Sequence, residues 1–211
     1  MSILTNRFSS SSPVTQKRLP TAALVVYAFA VALGLGIGSA HLALRGDYPL
    51  GAVHLGPWTA WPHLGSNETD PYARSIVTRR GEIPLATGEG LALVASADSQ
   101  GRALDSGCTY TVGTATPQAR LWTLTLYDQQ GAFVTSELQR SGFTSAEIVR
   151  DPEGRFSIVL SRDVQPGNWL KLPDSGAFSI ALRLYDTPAS LGTSAVDASA
   201  LPAIDRQECG A

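Results

Sequence analysis

The sequence predicts an all-β protein: an antiparallel jelly-roll-like β-sandwich with one short helix, preceded by one N-terminal transmembrane helix. Three observations lead to this prediction. A long N-terminal run carries no charge, several later segments alternate apolar and polar residues, and Asp-x-x-Gly turns follow some of these segments. The predicted organisation is a cytoplasmic tail over 1–18, a transmembrane helix over 19–44, a linker over 45–69 and a β-sandwich domain over 70–211.

The run 19–44 contains 26 residues without a charged side chain. About 20 apolar residues cross a membrane as a helix, and backbone polar groups must be paired inside the lipid. Lys17 and Arg18 precede the run, which favours a cytoplasmic N-terminus and an exported main domain. A cleaved signal peptide is the alternative, because residues 38–40 are small. Signal peptides have apolar cores of about 7–15 residues, so the length favours an uncleaved anchor.

A linker and a short helix are expected between this anchor and the β region. The segment 45–69 is rich in proline and glycine and is expected to dock onto the domain through Trp58 and Trp61. A helix is expected over 71–80, because Asp70 suits the N-cap and the proline after it suits the first helical position. Gly81 would end the helix.

Period-two alternation predicts about eight strands. It is strongest in Leu121–Tyr127, Phe156–Ser161 and Phe178–Tyr185, where one face is apolar and the other mostly polar. The weaker candidates are Leu91–Ala97, Thr109–Gly113, Ala132–Thr135, Glu147–Arg150 and Trp169–Leu172.

Three similar turns separate some of these segments, at 98–101, 128–131 and 151–154, and all read Asp-x-x-Gly. Aspartate favours the first position of a type I turn and glycine the fourth. Turns of this kind join neighbouring strands into hairpins, as in antiparallel sandwiches.

The two cysteines, Cys108 and Cys209, are predicted to form a disulfide. Disulfides persist outside the cytoplasm, and an even number of cysteines in an exported domain favours pairing. The bond would attach the C-terminal tail to the β domain.

The sequence offers little catalytic chemistry. Its three histidines all precede the β region: His41, His54 and His63. No nucleophile elbow, phosphate-binding loop, dinucleotide fingerprint or zinc spacing occurs, so no catalytic residue, metal or cofactor is predicted. The net charge is −2 and the first 18 residues contribute about +3, so the main domain is mildly acidic and is not expected to bind nucleic acid.

Arginines and aromatic residues are the remaining candidates for binding. The chain has 14 arginines and two lysines, and arginine beside aromatic rings suits carboxylates and sugar faces. Arg183, on the polar face of its strand, could equally be paired with a carboxylate or solvated. The candidates for a ligand or partner surface are Arg74, Asn168, Trp169 and Arg183.

The stretch 151–185 resembles the bacterial family called domain of unknown function 1214. The most specific similarity lies in Asn168-Trp169-Leu170 with Pro173, taken together with Arg183-Leu184-Tyr185. The segments 70–72 and 122–128 also resemble the family, and the match covers roughly 56–187. The resemblance implies a jelly-roll-like β domain anchored by a single helix in the bacterial inner membrane. It also implies a frequent companion, domain of unknown function 1254, expected here on a separate protein. The family implies no activity and no catalytic residues.

Two functions follow as hypotheses. The first is a periplasmic binding or complex-subunit module of the envelope, favoured by the anchor and by the missing catalytic set. The second is a periplasmic enzyme that acts on carbohydrate or ester groups through carboxylates, for example a distant pair such as Asp105 and Asp163. Glycoside hydrolysis needs two carboxylates about 5–10 Å apart in a groove.

Overall fold

A computed structural model describes residues 20–45, 51–80, 84–113, 118–134, 136, 139–188 and 197–210. The predictions for the tail 1–18 and for Gly81 lie outside these residues. Contacts between Cα atoms divide the chain into two units, Met1–Ala43 and Leu44–Ala211.

The first unit contains helix α1, Thr21–Arg45, of 25 residues. Its segment Thr21–Ala43 is long and apolar enough to cross a membrane, and none of it is buried within the protein. A signal sequence would have the same length and composition, so the helix is compatible with both alternatives stated above.

Among its described residues, the second unit contains one α-helix and ten strands. Helix α2 is Pro71–Arg80. The strands are β1 Val53–Leu55, β2 Trp58–Ala60, β3 Gly90–Ala95, β4 Cys108–Gly113, β5 Leu121–Asp128, β6 Gly142–Thr144, β7 Ser157–Ser161, β8 Asn168–Lys171, β9 Phe178–Tyr185 and β10 Ala203–Cys209. They form a six-stranded sheet in the order β1-β2-β3-β9-β5-β6 and a four-stranded sheet in the order β10-β4-β7-β8.

One hydrophobic core joins the inward faces of the two sheets. Trp122 and Leu124 of β5 lie in the same buried cluster as Tyr110 of β4 and Leu160 of β7. The alternation predicted for these strands is confirmed, since inward residues are buried and the residues between them are partly exposed. Burial of one face per strand stabilises the fold by removing apolar surface from water.

The β-rich fold class is confirmed, but the jelly-roll connectivity is not, and pairing is not antiparallel throughout. Strands β7 and β8 run parallel, with Val159 beside Trp169. The expected strand Glu147–Arg150 is wrong, because these residues form a turn and irregular structure. Of the expected strand Ala132–Thr135, Phe133 forms an isolated bridge with Tyr127, and Thr135 lies outside the described residues.

Four strands were not expected from the sequence: β1, β2, β6 and β10. The first two lie in the segment expected to be a linker. Trp58 of β2 is completely buried, and its indole N–H donates to the Pro202 carbonyl oxygen at 2.8 Å. The expected docking of this tryptophan therefore takes the form of strand pairing as well as side-chain burial.

The local predictions at the helix, the turns and the cysteines are confirmed. Asp70 caps α2, accepting from the backbone N–H groups of Tyr72 and Ala73 at 2.9 and 3.0 Å. In each Asp-x-x-Gly turn the glycine N–H donates to the aspartate carbonyl, at 2.9, 3.0 and 2.9 Å in chain order, and the glycine φ is between 77° and 80°. Cys108 and Cys209 form a disulfide that joins β4 to β10.

Candidate functional site

A polar groove of about 560 Å³ lies over the outer face of the six-stranded sheet. Its floor consists of outward side chains of β5 and β9, and its wall of β6 and the residues on either side of β6. We call it the outer-face groove. It is lined by Thr123, Thr125, Tyr127, Phe133, Gln139, Arg140, Ser141, Gly142, Phe143, Thr144, Glu147, Arg183 and Tyr185.

Arg183 lies in the middle of the floor. Strand β9 is central in its sheet, and Arg183 pairs with Ala92 on one side and Thr123 on the other. One terminal nitrogen of Arg183 donates to the Tyr127 hydroxyl at 2.9 Å, and the guanidinium carbon is 5.7 Å from the centre of that ring. Ala181, on the same face, is buried. The arginine is half-buried and held by one neighbour, so its direction over the sheet is set.

Arg183 retains hydrogen-bonding capacity towards the groove. A guanidinium carries five N–H donors, and the Tyr127 hydroxyl is its one hydrogen-bond partner among the described residues. The described ion pairs do not include Arg183. The sequence left open that Arg183 pairs with a carboxylate or is solvated. In the structure Arg183 is half-buried, and its partner is the Tyr127 hydroxyl.

Hydroxyl groups line the groove on the β5 side of this cation and next to it on β9. Thr123 and Thr125 of β5 and Thr144 of β6 line the groove together with Tyr185 of β9. Their strands are in register, with Thr123 opposite both Arg183 and Thr144. No hydrogen bond of these four side-chain hydroxyls occurs within the described part of the chain. They can therefore donate to and accept from a ligand.

The charges on the described lining favour an anion. The cations are Arg183 and Arg140, and the carboxylate is Glu147. Glu147 is exposed and accepts a hydrogen bond from the Thr144 backbone N–H at 2.8 Å. Two cations against one carboxylate leave the described lining with a positive balance. Arg140 lies 4.6 Å from the centre of the Phe143 ring and is exposed.

An aromatic pair borders the groove near Arg183. The rings of Tyr127 and Phe133 are 5.0 Å apart and tilted by 33°. Phe133 is 58% exposed, so much of its ring is in solvent beside the groove. Exposed aromatic rings beside polar groups are common in ligand sites.

Of the four predicted surface residues, only Arg183 lies in the groove. Arg74 is exposed on α2. Trp169 is half-buried on β8 of the other sheet, where its indole N–H donates to the Ser161 carbonyl oxygen at 3.1 Å. Asn168 is 7% exposed, so its side chain is not available to a ligand as expected.

The Asn168 side chain instead joins two parts of the backbone. Its oxygen accepts from the Val149 N–H at 2.8 Å, and its nitrogen donates to the carbonyls of Val149 and Ser157 at 2.8 and 3.0 Å. The amide thus pairs with Val149 much as a neighbouring strand would, which explains why a polar residue is buried here.

The sequence reasoning missed the threonines and Tyr127. A signal was present, because Thr123, Thr125 and Tyr127 alternate with the buried residues of β5. It could not be interpreted without knowing that β9 pairs with β5 and brings Arg183 beside them. The wall around 139–147 was missed because β6 has three residues, too few to show a period-two pattern.

The described residues contain no group of three or more His, Cys, Asp or Glu side chains placed to hold a metal ion. Asp105 and Asp163, considered above as a distant carboxylate pair, do not line the groove.

The strongest electrostatic cluster lies elsewhere, at Asp98 in the first Asp-x-x-Gly turn. Its buried carboxylate accepts from the backbone of Gln100 and Arg102 and from the Arg102 side chain, the last at 2.7 Å, and Arg206 of β10 lies at 3.4 Å. Burial by itself raises the pKa of Asp98. The hydrogen bonds and the Arg102 guanidinium outweigh that effect and hold the pKa below its ordinary value. These contacts connect the turn to β10 and are structural.

Comparison with known proteins identifies one family. Residues 89–189 match the family described as Protein of unknown function (DUF1214). The match extends from the start of β3 to just beyond β9 and confirms the resemblance noted in 151–185. The family match starts at residue 89, so the similarity expected over 56–88 lies outside the match. No curated protein matches the sequence significantly.

A solved structure shares the fold, and a second one shows weaker similarity. The VPA0106 protein from Vibrio parahaemolyticus is similar with a TM-score of 0.53 and 20% identity, over 65% of this chain and 35% of that one. An uncharacterized protein from Burkholderia cenocepacia has a TM-score of 0.40 and 16% identity, over 82% of this chain and 40% of that one. This chain thus spans about a third of the length of the Vibrio protein.

Proposed function

We propose that this protein, whose residues 89–189 match DUF1214, is a binding module held at the bacterial inner membrane and that the outer-face groove is its binding site. One observation carries the proposal. Arg183 is half-buried at the centre of a sheet, held in direction by Tyr127, and has donors left for a ligand among hydroxyl groups that are also unpaired. A positioned arginine with spare donors is typical of a recognition site.

The location in the envelope is supported by two features. Helix α1 has the length and composition of a membrane anchor, and a disulfide is compatible with a periplasmic domain. The proposed orientation places the β unit in the periplasm, following the cations before the helix.

A protein partner is part of the proposal. The Vibrio protein extends well beyond the part that this chain matches. We propose that a separate protein of the domain of unknown function 1254 type supplies the additional part and docks with this one. This partner would account for a complex-subunit role.

The alternative, an enzyme that uses carboxylates, gains no support from the groove. Among its described lining residues the one carboxylate is Glu147, which is engaged with the Thr144 backbone. Hydrolysis of glycosides uses a pair of carboxylates that face the scissile bond. Binding is therefore the function that the groove favours.

The test is photo-crosslinking in living cells. A photoreactive phenylalanine analogue replaces Thr125 in the groove floor of the full-length protein, and the matched control places it at Thr111 on the outer face of the other sheet. We expect an adduct from position 125 and not from position 111, with mass spectrometry identifying the occupant. The absence of an adduct at 125, or equal adducts at both positions, would contradict the groove as the binding site.

A further inference from the structure

We infer that the ligand of the outer-face groove is an acidic carbohydrate, a sugar chain that carries carboxylate groups. The inference rests on the proposed function and specifies its ligand. The reasons are the donors of Arg183 that have no partner among the described residues, the hydroxyl groups on its β5 side and on β9, and the aromatic pair at the border of the groove.

The carboxylate is assigned to Arg183. Arginine binds carboxylates through two parallel hydrogen bonds from its planar fork, which is stronger and more directional than a single bond. The Tyr127 hydroxyl accepts one of the two N–H groups of the terminal nitrogen Nη2, and Nε and Nη1 have no partner among the described residues. The second N–H of Nη2, together with the neighbouring N–H of Nε or Nη1, can therefore form the paired contact. The Tyr127 contact also reduces the conformational freedom that the arginine would lose on binding.

The sugar hydroxyls are assigned to the threonines and tyrosine of the groove. Thr123, Thr125 and Thr144 lie on adjacent strands, and Tyr185 is two residues beyond Arg183 on the same face. Each hydroxyl can donate one hydrogen bond and accept two. A row of such groups matches a ligand that itself presents a row of hydroxyls, because each unpaired donor or acceptor finds a partner.

The aromatic pair supplies the apolar contact of a sugar ring. Phe133 is 58% exposed and leans on Tyr127 at 5.0 Å, within the border of the groove. One side of a sugar ring presents C–H groups that pack on an aromatic face. A peptide C-terminus is the other source of a carboxylate, but it would normally add an apolar side chain, and the floor around Arg183 is polar rather than apolar.

The experiment measures binding of an oligogalacturonate to the full-length protein in lipid nanodiscs, by calorimetry. Its methyl ester, which has the same ring without the charge, is the matched ligand control. We expect the acid to bind and the ester to bind at least about 10-fold more weakly, because hydrogen bonds to charged groups contribute most of the difference. Equal binding of acid and ester, or no binding of the acid, would overturn the inference.

Variants locate the contact. Arg183→Ala is expected to weaken binding of the acid by about 10-fold to 100-fold. Arg183→Lys is expected to recover only part of it, since lysine cannot form the paired contact. Arg162→Ala, at an exposed arginine just after β7 of the other sheet, should leave binding unchanged, and thermal unfolding checks that each variant is folded. Undiminished binding by Arg183→Ala would overturn the assignment.

Two outcomes separate this inference from the proposed function. An adduct at position 125 together with no binding of the oligogalacturonate would retain the groove as a binding site and reject the acidic carbohydrate. A short peptide with a free C-terminus, compared with its amidated form, covers the other carboxylate source. Carboxyl-dependent binding of that peptide in place of the sugar would also reject the carbohydrate.

Discussion

At the scale of single residues, the most consequential side chains are buried polar groups whose hydrogen bonds are complete. Asp98 is 1% exposed and Asn168 is 7% exposed, yet both have partners for their polar atoms. Such groups are costly when a partner is removed, because the remaining donor or acceptor stays buried and unpaired. Three predictions test whether these residues stabilise the fold as their contacts indicate.

Asp98→Asn is expected to lower the free energy of unfolding by about 2–3 kcal/mol, since it leaves the Arg206 guanidinium without its charged partner. Urea unfolding at neutral pH measures this loss. Asp128→Asn is the matched control, because the same turn at Asp128 lacks a following arginine. A loss in the control equal to that in Asp98→Asn would show that the turn, and not the arginine cluster, is responsible.

The same residue predicts a pH dependence. The folded-state pKa of Asp98 lies below the ordinary value of 3.8, so the unfolded chain takes up the proton first as the pH falls. The stabilisation is therefore fully present above about pH 4–5 and is lost as the pH falls towards the lowered pKa. Asp98→Asn should remove this part of the acid sensitivity. Identical slopes of unfolding free energy against pH in the wild type and in Asp98→Asn would contradict this prediction.

Asn168→Ala is expected to destabilise the protein by about 2–3 kcal/mol, since it removes three hydrogen bonds from a buried site. Hydrogen exchange at the Val149 amide should accelerate, because that N–H loses its acceptor. Ligand or partner binding in the groove should be unchanged. A variant of normal stability that fails to bind its partner would return Asn168 to the functional surface predicted from the sequence.

At the scale of elements, the close approach of β6 to β5 shapes the site, and the attachment of β10 completes the other sheet. Both depend on contacts between strands far apart in the chain. A change at one residue of either contact should therefore act on a whole strand.

Gly142 allows β6 to form the groove wall. A Cβ atom at this position would collide with the carbonyl oxygen of Leu124 on β5. Gly142→Ala is expected to cost about 1–3 kcal/mol and to raise hydrogen exchange in β6 and the adjoining half of β5. Ser141→Ala, one residue earlier, is the control and should have little effect. Wild-type hydrogen exchange in β6 of the Gly142→Ala variant would show that the strand can shift without losing stability.

The disulfide attaches the edge strand β10. It joins residues separated by 101 positions, and closing a loop of that size stabilises by up to about 4–5 kcal/mol in the chain-entropy model. The double change Cys108→Ser and Cys209→Ser should lower the urea midpoint and expose β10 amides first. If the amides of residues 203–209 keep wild-type protection from hydrogen exchange, the Asp98–Arg206 contact and strand pairing are sufficient to hold β10 without the disulfide.

At the scale of the whole molecule, the proposal concerns an anchored β domain. Helix α1 is long and apolar enough to span a membrane, and a signal sequence can pass the same test of length and composition. The two alternatives differ in the mature protein, because an anchor keeps α1 on the chain and a signal peptidase would remove it.

The prediction is that the protein extracted from native membranes retains its N-terminal helix and resists alkaline carbonate extraction. Intact-mass measurement decides the matter, since cleavage after Ala40 would remove the first 40 residues. A periplasmic protein whose sequence begins near His41 would contradict the anchor and leave the proposed binding site unaffected.

The sequence alone determined the features that depend on local chemistry. These are the apolar length of α1, the start of α2 at Asp70, the three Asp-x-x-Gly turns and the alternation of β5 and β9. Each is set by residues within a few positions of one another, so no distant contact had to be known. The cysteine pairing belongs here too, because two cysteines allow only one intramolecular bond.

Only the tertiary structure decided how these elements meet. Short strands such as β1 and β6 have three residues each, too few for a pattern, and exist because a neighbouring strand pairs with them. The parallel pair β7–β8, the burial of Asn168 and the encounter of Arg183 with Tyr127 all join residues distant in the chain. The groove is therefore a property of strand order, because pairing of β9 with β5 places Arg183 among the threonines.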